Sequence, residues 1–206
     1  IWLGEAISLM IIYVYLQDNL ANIDALTGLN NRRSLENYLI GEFKKKGADK
    51  VISGIMIDLD DFKYINDNFG HLVGDDALLE VGRIMQKVIG KNDFLARYAG
   101  DEFIVVFSNK NEAYAIDLIN LFQNEINDFN DKKYGRYKLA FSYGFGSCQV
   151  LGNSVDTLLK IMDNKKHVEY TGVSNSLILE NLKKLSEIHK RVIARIPIIP
   201  GINDDF

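Results

Sequence analysis

Two clusters of carboxylates stand where the surrounding residues are otherwise apolar. One lies in Ala99-Gly100-Asp101-Glu102, between the β-prone runs at 94–98 and 103–107. Glycine accepts the positive φ of a tight turn, so this stretch reads as strand, turn, strand with acids at the tip. The other, Asp58, Asp60 and Asp61, ends the apolar run at 51–60, which reads as a buried strand. If strand end and hairpin share one sheet, Asp58 and Asp101 come close together. Like charges at that range are unfavourable unless a cation sits between them. Carboxylate oxygens with a main-chain carbonyl suit Mg²⁺, whose shell substrate phosphates then complete. Two solvated turns whose acids stay wet fit the same pattern.

The elements that would position these acids follow from hydrophobic spacing. A polar, turn-rich joint, "DALTGLNNRR", begins at Asp24, and a helix is expected over 32–46. After the 51–60 strand come a short helix, a glycine-containing loop and a longer helix with Leu78, Val81, Ile84, Met85 and Val88 on one face. The hairpin follows, then a helix over 111–129, a strand over 137–150 and a helix from 154 whose stripe is Val155, Leu158, Leu159 and Met162. The stripe stops there, because Lys165, Lys166 and Glu169 occupy the positions that would continue it. A discontinuity is therefore placed near Met162–Asp163, followed by a new helical pattern at 175–190 and a strand-like run at 191–199.

The 206 residues, 47% hydrophobic and 25% charged, describe a foldable chain and exclude a disordered one. A net charge of −4 without a basic stripe argues against a nucleic-acid polymer as partner. The single cysteine, Cys148, excludes an intrachain disulfide and any multi-cysteine metal site built by this chain, and fits a reducing, cytosolic setting. The first residue is Ile, so a fragment or a processed product is expected. The opening stretch "IWLGEAISLMIIYVYLQ" lacks the basic leader of a signal peptide. It falls short of the about 20 apolar residues of a spanning helix. It reads either as the end of a membrane span, with Trp2, Tyr13 and Tyr15 near its ends, or as an amphipathic signalling or dimerisation helix in which Glu5 is at ease.

Three motifs in order carry a resemblance. "DALTGLNNRR", "IDLDDFKYINDNFGHLVGDDAL" and "RYAGDEF" are similar to the lead-in, the metal and nucleotide stretch and the signature hairpin of GGDEF-domain diguanylate cyclases, over residues 24–163. The resemblance implies an α+β fold, a central, largely antiparallel sheet surrounded by helices. It implies condensation of two GTP molecules to cyclic di-GMP with release of pyrophosphate, in a homodimer whose two domains face each other. Asp58 and Asp101 would hold Mg²⁺ (or Mn²⁺) with the main-chain carbonyl of Leu59. Asn66 and Asp75 would read the guanine edge, with His71 a further candidate for substrate contact beside a loop-bracing role. Phe62 and Lys63 would offer backbone N–H groups and one positive charge to the phosphates. Asp101, Glu102 and Lys63 form the catalytic set, Glu102 helping to deprotonate the attacking 3′-hydroxyl or binding a second metal. Bracing roles are expected for Asp60, core positions for Phe62 and Phe103, pairing with a neighbouring acid for Arg97, and a joint fixed by Thr27, Asn30 and Arg32. The implied organisation is an N-terminal apolar helix (1–23), read as a signalling helix or the end of a membrane anchor, the GGDEF domain (24–163) and a tail (164–206), with the catalytic domain at the cytoplasmic face of the cell membrane.

The chain departs from that family in three places. The signature begins with Ala99 instead of glycine, the mildest change available. The product-inhibition motif, Arg-x-x-Asp, reads Gly90-Lys91-Asn92-Asp93, so bidentate capture by arginine is lost and feedback at that site is expected to be weak or absent. At the domain's end Tyr170 and Ser174 replace a lysine and an arginine that would reach the phosphates. Two such charge-assisted contacts are worth about 1.5–3 kcal/mol each. The stretch 160–204 resembles the middle of a radical-SAM activating enzyme for glycyl-radical enzymes, without the three cysteines that chemistry needs. A GTP-binding regulatory module without turnover, or a non-functional fusion product, are the alternatives to an impaired cyclase.

Overall fold

The computed structural model describes residues 2–45, 50–132 and 137–171. The tail from 172 onward, with Ser174 and most of the stretch likened to a radical-SAM enzyme, lies outside the described residues, as do the side chains of 164–171, Tyr170 included.

The chain runs α1 (Trp2–Asn22), α2 (Arg32–Lys44), β1 (Val51–Leu59), α3 (Phe62–Phe69), α4 (His71–Val88), β2 (Phe94–Ala99), β3 (Glu102–Ser108), α5 (Glu112–Lys132), β4 (Phe141–Gln149) and α6 (Val155–Thr171). The four strands form one sheet in the order β2-β3-β1-β4, and every pairing is antiparallel. This is the α+β arrangement the resemblance implies. β1 is central because it is apolar on both sides, and only a strand covered on both faces can afford that.

Alternation along the strands sorts the core into two layers. Ile55 and Ile57 of β1 with Phe103, Val105 and Phe107 of β3 face α4 and α5, packing on Leu78, Val81, Leu118 and Phe122. Ile52 and Met56 with Ile104 and Val106 face α2 and α6, packing on Leu35, Leu39, Leu158 and Met162. On that second face Gly54 and Gly146 oppose each other across β1 and β4. A Cβ on Gly54 would lie 2.9 Å from Met162 Sδ, and one on Gly146 2.6 Å from Met162 Cγ. The glycine pair is the notch that lets α6 lie directly on the sheet.

Two boundaries differ from expectation. The last strand begins at Phe141, four residues later than its pattern suggested, because residues 137–140 run as an irregular lead-in whose Leu139 is tied by Asn130: its N–H donates to Asn130 Oδ1 and its carbonyl accepts from Nδ2, both at 2.8 Å. The backbone of α6 continues to Thr171, past the end of its apolar stripe. Among the described residues no helix is long and apolar enough to cross a membrane. From Trp2 to Val14 α1 nevertheless exposes apolar side chains on consecutive positions, Leu9 to Val14 among them.

Candidate active site

The strand register assembles the acids. Glu102 pairs directly with Asp58 across β3 and β1. Directly opposed residues of an antiparallel pair carry their side chains on one face, with Cβ atoms about 4.5–5.5 Å apart. Asp58 and Glu102 thus share the face of Met56 and Ile104, at the end of the sheet. Asp101 is the next residue, in the two-residue turn that Ala99 and Glu102 close. Gly100 takes φ +38° at the first central position of this turn, where glycine is favoured. A bulge between Arg97 and Ala99 adds a residue to β2 just before the turn. The nearest facing pair is therefore Asp58–Glu102, with Asp101 beside it. All three are half-buried.

Asp60, half-buried two residues past Asp58, has its carboxyl held above the usual carboxylate range by burial and by the charges of Asp58 and Asp61, against a lowering hydrogen bond from Ser142. Asp61 adopts a left-handed conformation, φ +55°, and turns the chain from β1 into α3. Negative charge is thus concentrated at one strand end. Among the described residues no three Asp, Glu, His or Cys side chains converge as a ready-made metal cage. Two carboxylates at a site open to ligand is the arrangement in which Mg²⁺ is commonly held, with phosphates and water filling the rest of its shell. The donor set fits a divalent ion that arrives with its substrate.

α3 begins with Phe62, half-buried against the core, and exposed Lys63. Asn66, one turn on, is half-buried against α4 at Gly74, where a Cβ would come within 2.0 Å of Asn66 Oδ1. Asp75 follows Gly74 directly, so the helix crossing brings Asn66 and Asp75 to one place. Asp75 and His71 are exposed at the start of α4. Phe103 is a core residue, as expected, fully buried beneath the hairpin.

The lead-in joint is built differently from its reading in one respect. Asp24 Oδ1 accepts from the Thr27 amide at 2.8 Å and the Thr27 hydroxyl at 2.7 Å. Asn30 donates its side-chain amide to the Leu95 carbonyl at 2.8 Å, and its own carbonyl accepts from Arg97 N at 2.9 Å. Arg32, expected in this joint, instead lies over the Tyr98 ring, 4.7 Å from its centroid, and pairs with Glu36 at 2.9 Å. Asn31, to which the sequence reading gave no role, helps to fix the joint, donating to the carbonyls of Ala21 and Ile23 and capping α2 at Ser34 N. Arg97 does pair with an acid, Asp24, 73 residues away and 3.0 Å distant. Burial pushes the Asp24 carboxyl up, but Thr27 and the Arg97 guanidinium outweigh it and hold it below the ordinary range.

Asp93, the acid left from the altered product-inhibition motif, has a fully buried side chain. It accepts from Gly90 N at 3.0 Å, from Lys110 Nζ at 2.6 Å and from the Tyr114 hydroxyl. A Cβ at position 90 would lie 2.9 Å from both Asp93 Oδ2 and the Tyr114 oxygen. The loss of arginine at Gly90 thus goes with an aspartate committed to its own chain. Lys110 and Tyr114 were missed by the sequence reading, since nothing local marks them as partners of Asp93.

The profile of the family described as "Diguanylate cyclase, GGDEF domain" matches residues 21–167. A diguanylate cyclase of Vibrio cholerae is 41% identical over 100 residues, 48% of this chain and 31% of that protein. The cyclic di-GMP phosphodiesterase PdeB of Shewanella oneidensis is 33% identical over 145 residues, 69% of this chain and 16% of that protein. This chain thus spans no more than about a third of either relative. Among solved structures, the coiled coil and GGDEF domain of DgcB from Caulobacter crescentus, in complex with c-di-GMP, superposes with a TM-score of 0.75 at 22% identity, over 84% of this chain and 92% of that one. That likeness establishes the fold.

Proposed function

Because this chain belongs to the GGDEF, or diguanylate cyclase, family, we propose that it condenses two GTP molecules to cyclic di-GMP. The observation that carries the reading is the register that faces Asp58 with Glu102 and sets Asp101 in the adjoining turn. In this reading Asp58, Asp101 and the Leu59 carbonyl hold the divalent ion, Mg²⁺ with Mn²⁺ as substitute. When bound, such an ion polarises the α-phosphate and lowers the pKa of the attacking hydroxyl. Glu102 takes the proton of the 3′-hydroxyl as the O3′–Pα bond forms and the bond from Pα to the β-phosphate breaks. Pyrophosphate leaves, and the second, reciprocal attack closes the ring with a second pyrophosphate. Lys63 and the amides at the start of α3, at Phe62, steady the phosphates. Asn66 and Asp75 hold the guanine edge by an amide and a carboxylate matched to its acceptors and donors. His71 lies at the rim of that pocket.

Each domain holds one GTP, so the reaction needs two chains facing one another, a homodimer in which each hydroxyl is placed in line with the partner's phosphorus. The apolar surface of α1 supports its use as the pairing or anchoring element, with the catalytic domain on the cytoplasmic side of the cell membrane where GTP is found. The committed carboxylate of Asp93 supports an enzyme without product feedback at that position. The second reading, a GTP-binding module without turnover, is favoured by Tyr170 and Ser174 standing where basic residues would meet the phosphates. The tail's likeness to a radical-SAM enzyme enters only as appended sequence, since its cysteines are missing.

Incubating the chain with GTP and Mg²⁺ or Mn²⁺ and separating the products decides between these readings. Cyclic di-GMP and pyrophosphate in a 1:2 ratio are expected, with a loss on the order of 100-fold in Asp101→Asn. GTP binding without product would select the regulatory module. Neither binding nor product would end both readings.

A further inference from the structure

We propose that Arg97 is a positioning residue for catalysis, holding the turn that carries Asp101 in place from the lead-in joint. This rests on the cyclase reading above. Arg97 uses three donors in three directions. Its Nε–H donates to the Gly100 carbonyl at 2.9 Å, inside the turn. Its Nη1 donates to Asp24 Oδ1 at 3.0 Å. Its backbone N–H donates to the Asn30 carbonyl at 2.9 Å. With 15% of the Arg97 side chain and 23% of the Asp24 side chain exposed, water competes weakly for the bond between them, whereas the bond to Gly100 lies at the exposed turn.

Ala99 and Gly100 are exposed, and a Cβ on Gly100 would meet nothing within 4 Å. The bulge between Arg97 and Ala99 interrupts the regular β2–β3 ladder one step before the turn. The Arg97 Nε bond to Gly100 spans that interruption. Its far end is fixed in turn, because Asp24 is held by both the amide and the hydroxyl of Thr27. A planar fork that meets a carboxylate with one nitrogen and a carbonyl with another cannot be copied by lysine, a single point donor. Arg97 is assigned no contact with substrate or metal. It acts through the position of Asp101.

The test combines turnover with hydrogen exchange on the full chain. Arg97→Gln is expected to lower kcat by about 10- to 100-fold while KM for GTP stays within about 3-fold, since small displacements of a reacting group are that costly and the guanine contacts lie elsewhere. Arg97→Lys is expected to fall between, and Asp24→Asn to lose less, because the Gly100 bond survives. In Arg97→Gln the amides of 100–102 are expected to exchange faster while those of 103–107 stay protected. The proposal is overturned if kcat is retained within about 2-fold, or if exchange rises equally along β3, which marks a purely structural role. Absence of cyclic di-GMP from the unaltered chain would count against the cyclase reading, whereas the exchange of the turn reads Arg97 without turnover.

Discussion

Asp60 shows how far single residues at this site are shaped by their neighbours. Its native carboxyl binds a proton more tightly than an ordinary aspartate, through burial and the charges of Asp58 and Asp61. The sign follows directly. With the native pKa above the unfolded value of about 3.9, ionised Asp60 costs stability increasingly as pH rises through the native value, and the full cost applies at pH 7. Asp60→Asn is therefore expected to raise the thermal midpoint at pH 7, to lose that advantage below about pH 3.9, and to lose part of it in Mg²⁺, which neutralises the same repulsion. Melting curves at both pH values, with and without the ion, check this; a variant less stable than the native chain at neutral pH would assign Asp60 a mainly hydrogen-bonding role toward Ser142. The acids themselves were legible in the sequence because carboxylates that end apolar runs are conspicuous. The partners of Arg97 and Asp93 were not, because Asp24 lies 73 residues and Lys110 17 residues away and only the fold brings them near.

A helix crossing positions Asn66 and Asp75, the proposed nucleotide contacts. At Gly74 α4 presses on α3 so closely that the Asn66 carboxamide occupies the space of a Cβ. The obstructing atom is the end of a rotatable side chain, so Gly74→Ala is expected to shift stability by less than about 1.5 kcal/mol while turning Asn66 away from its present position. GTP affinity, read by calorimetry, is expected to fall about 10-fold; unchanged affinity would remove Asn66 from the guanine site. The order and type of the elements were readable from the period of their apolar residues, down to the short α3 and the long α4. Their ends were less so. β4 starts late because Asn130, in α5, captures the backbone at Leu139, a long-range bond that no local pattern announces.

At the scale of the molecule the proposed reaction demands two nucleotides, and the proposed Asn66–Asp75 contact gives each chain one place for a guanine. The rate per chain is accordingly expected to rise with concentration over the range in which sedimentation shows monomers pairing, and to level off once pairing is complete. A rate per chain that is constant while the chain stays monomeric would be incompatible with reciprocal attack across a dimer. The antiparallel sheet entered only through the resemblance, and the strand order and the two core layers were not read at all, since apolar alternation specifies which face of a strand is buried but not which strand lies beside it.

The notch made by Gly54 and Gly146 has a consequence for how such a chain can be edited. Leu158 and Met162 plug it within the first two turns of α6, so the sheet's second face receives its cover before residue 163. Changes to the chain beyond that point leave the plug itself untouched, although the helix runs on to Thr171.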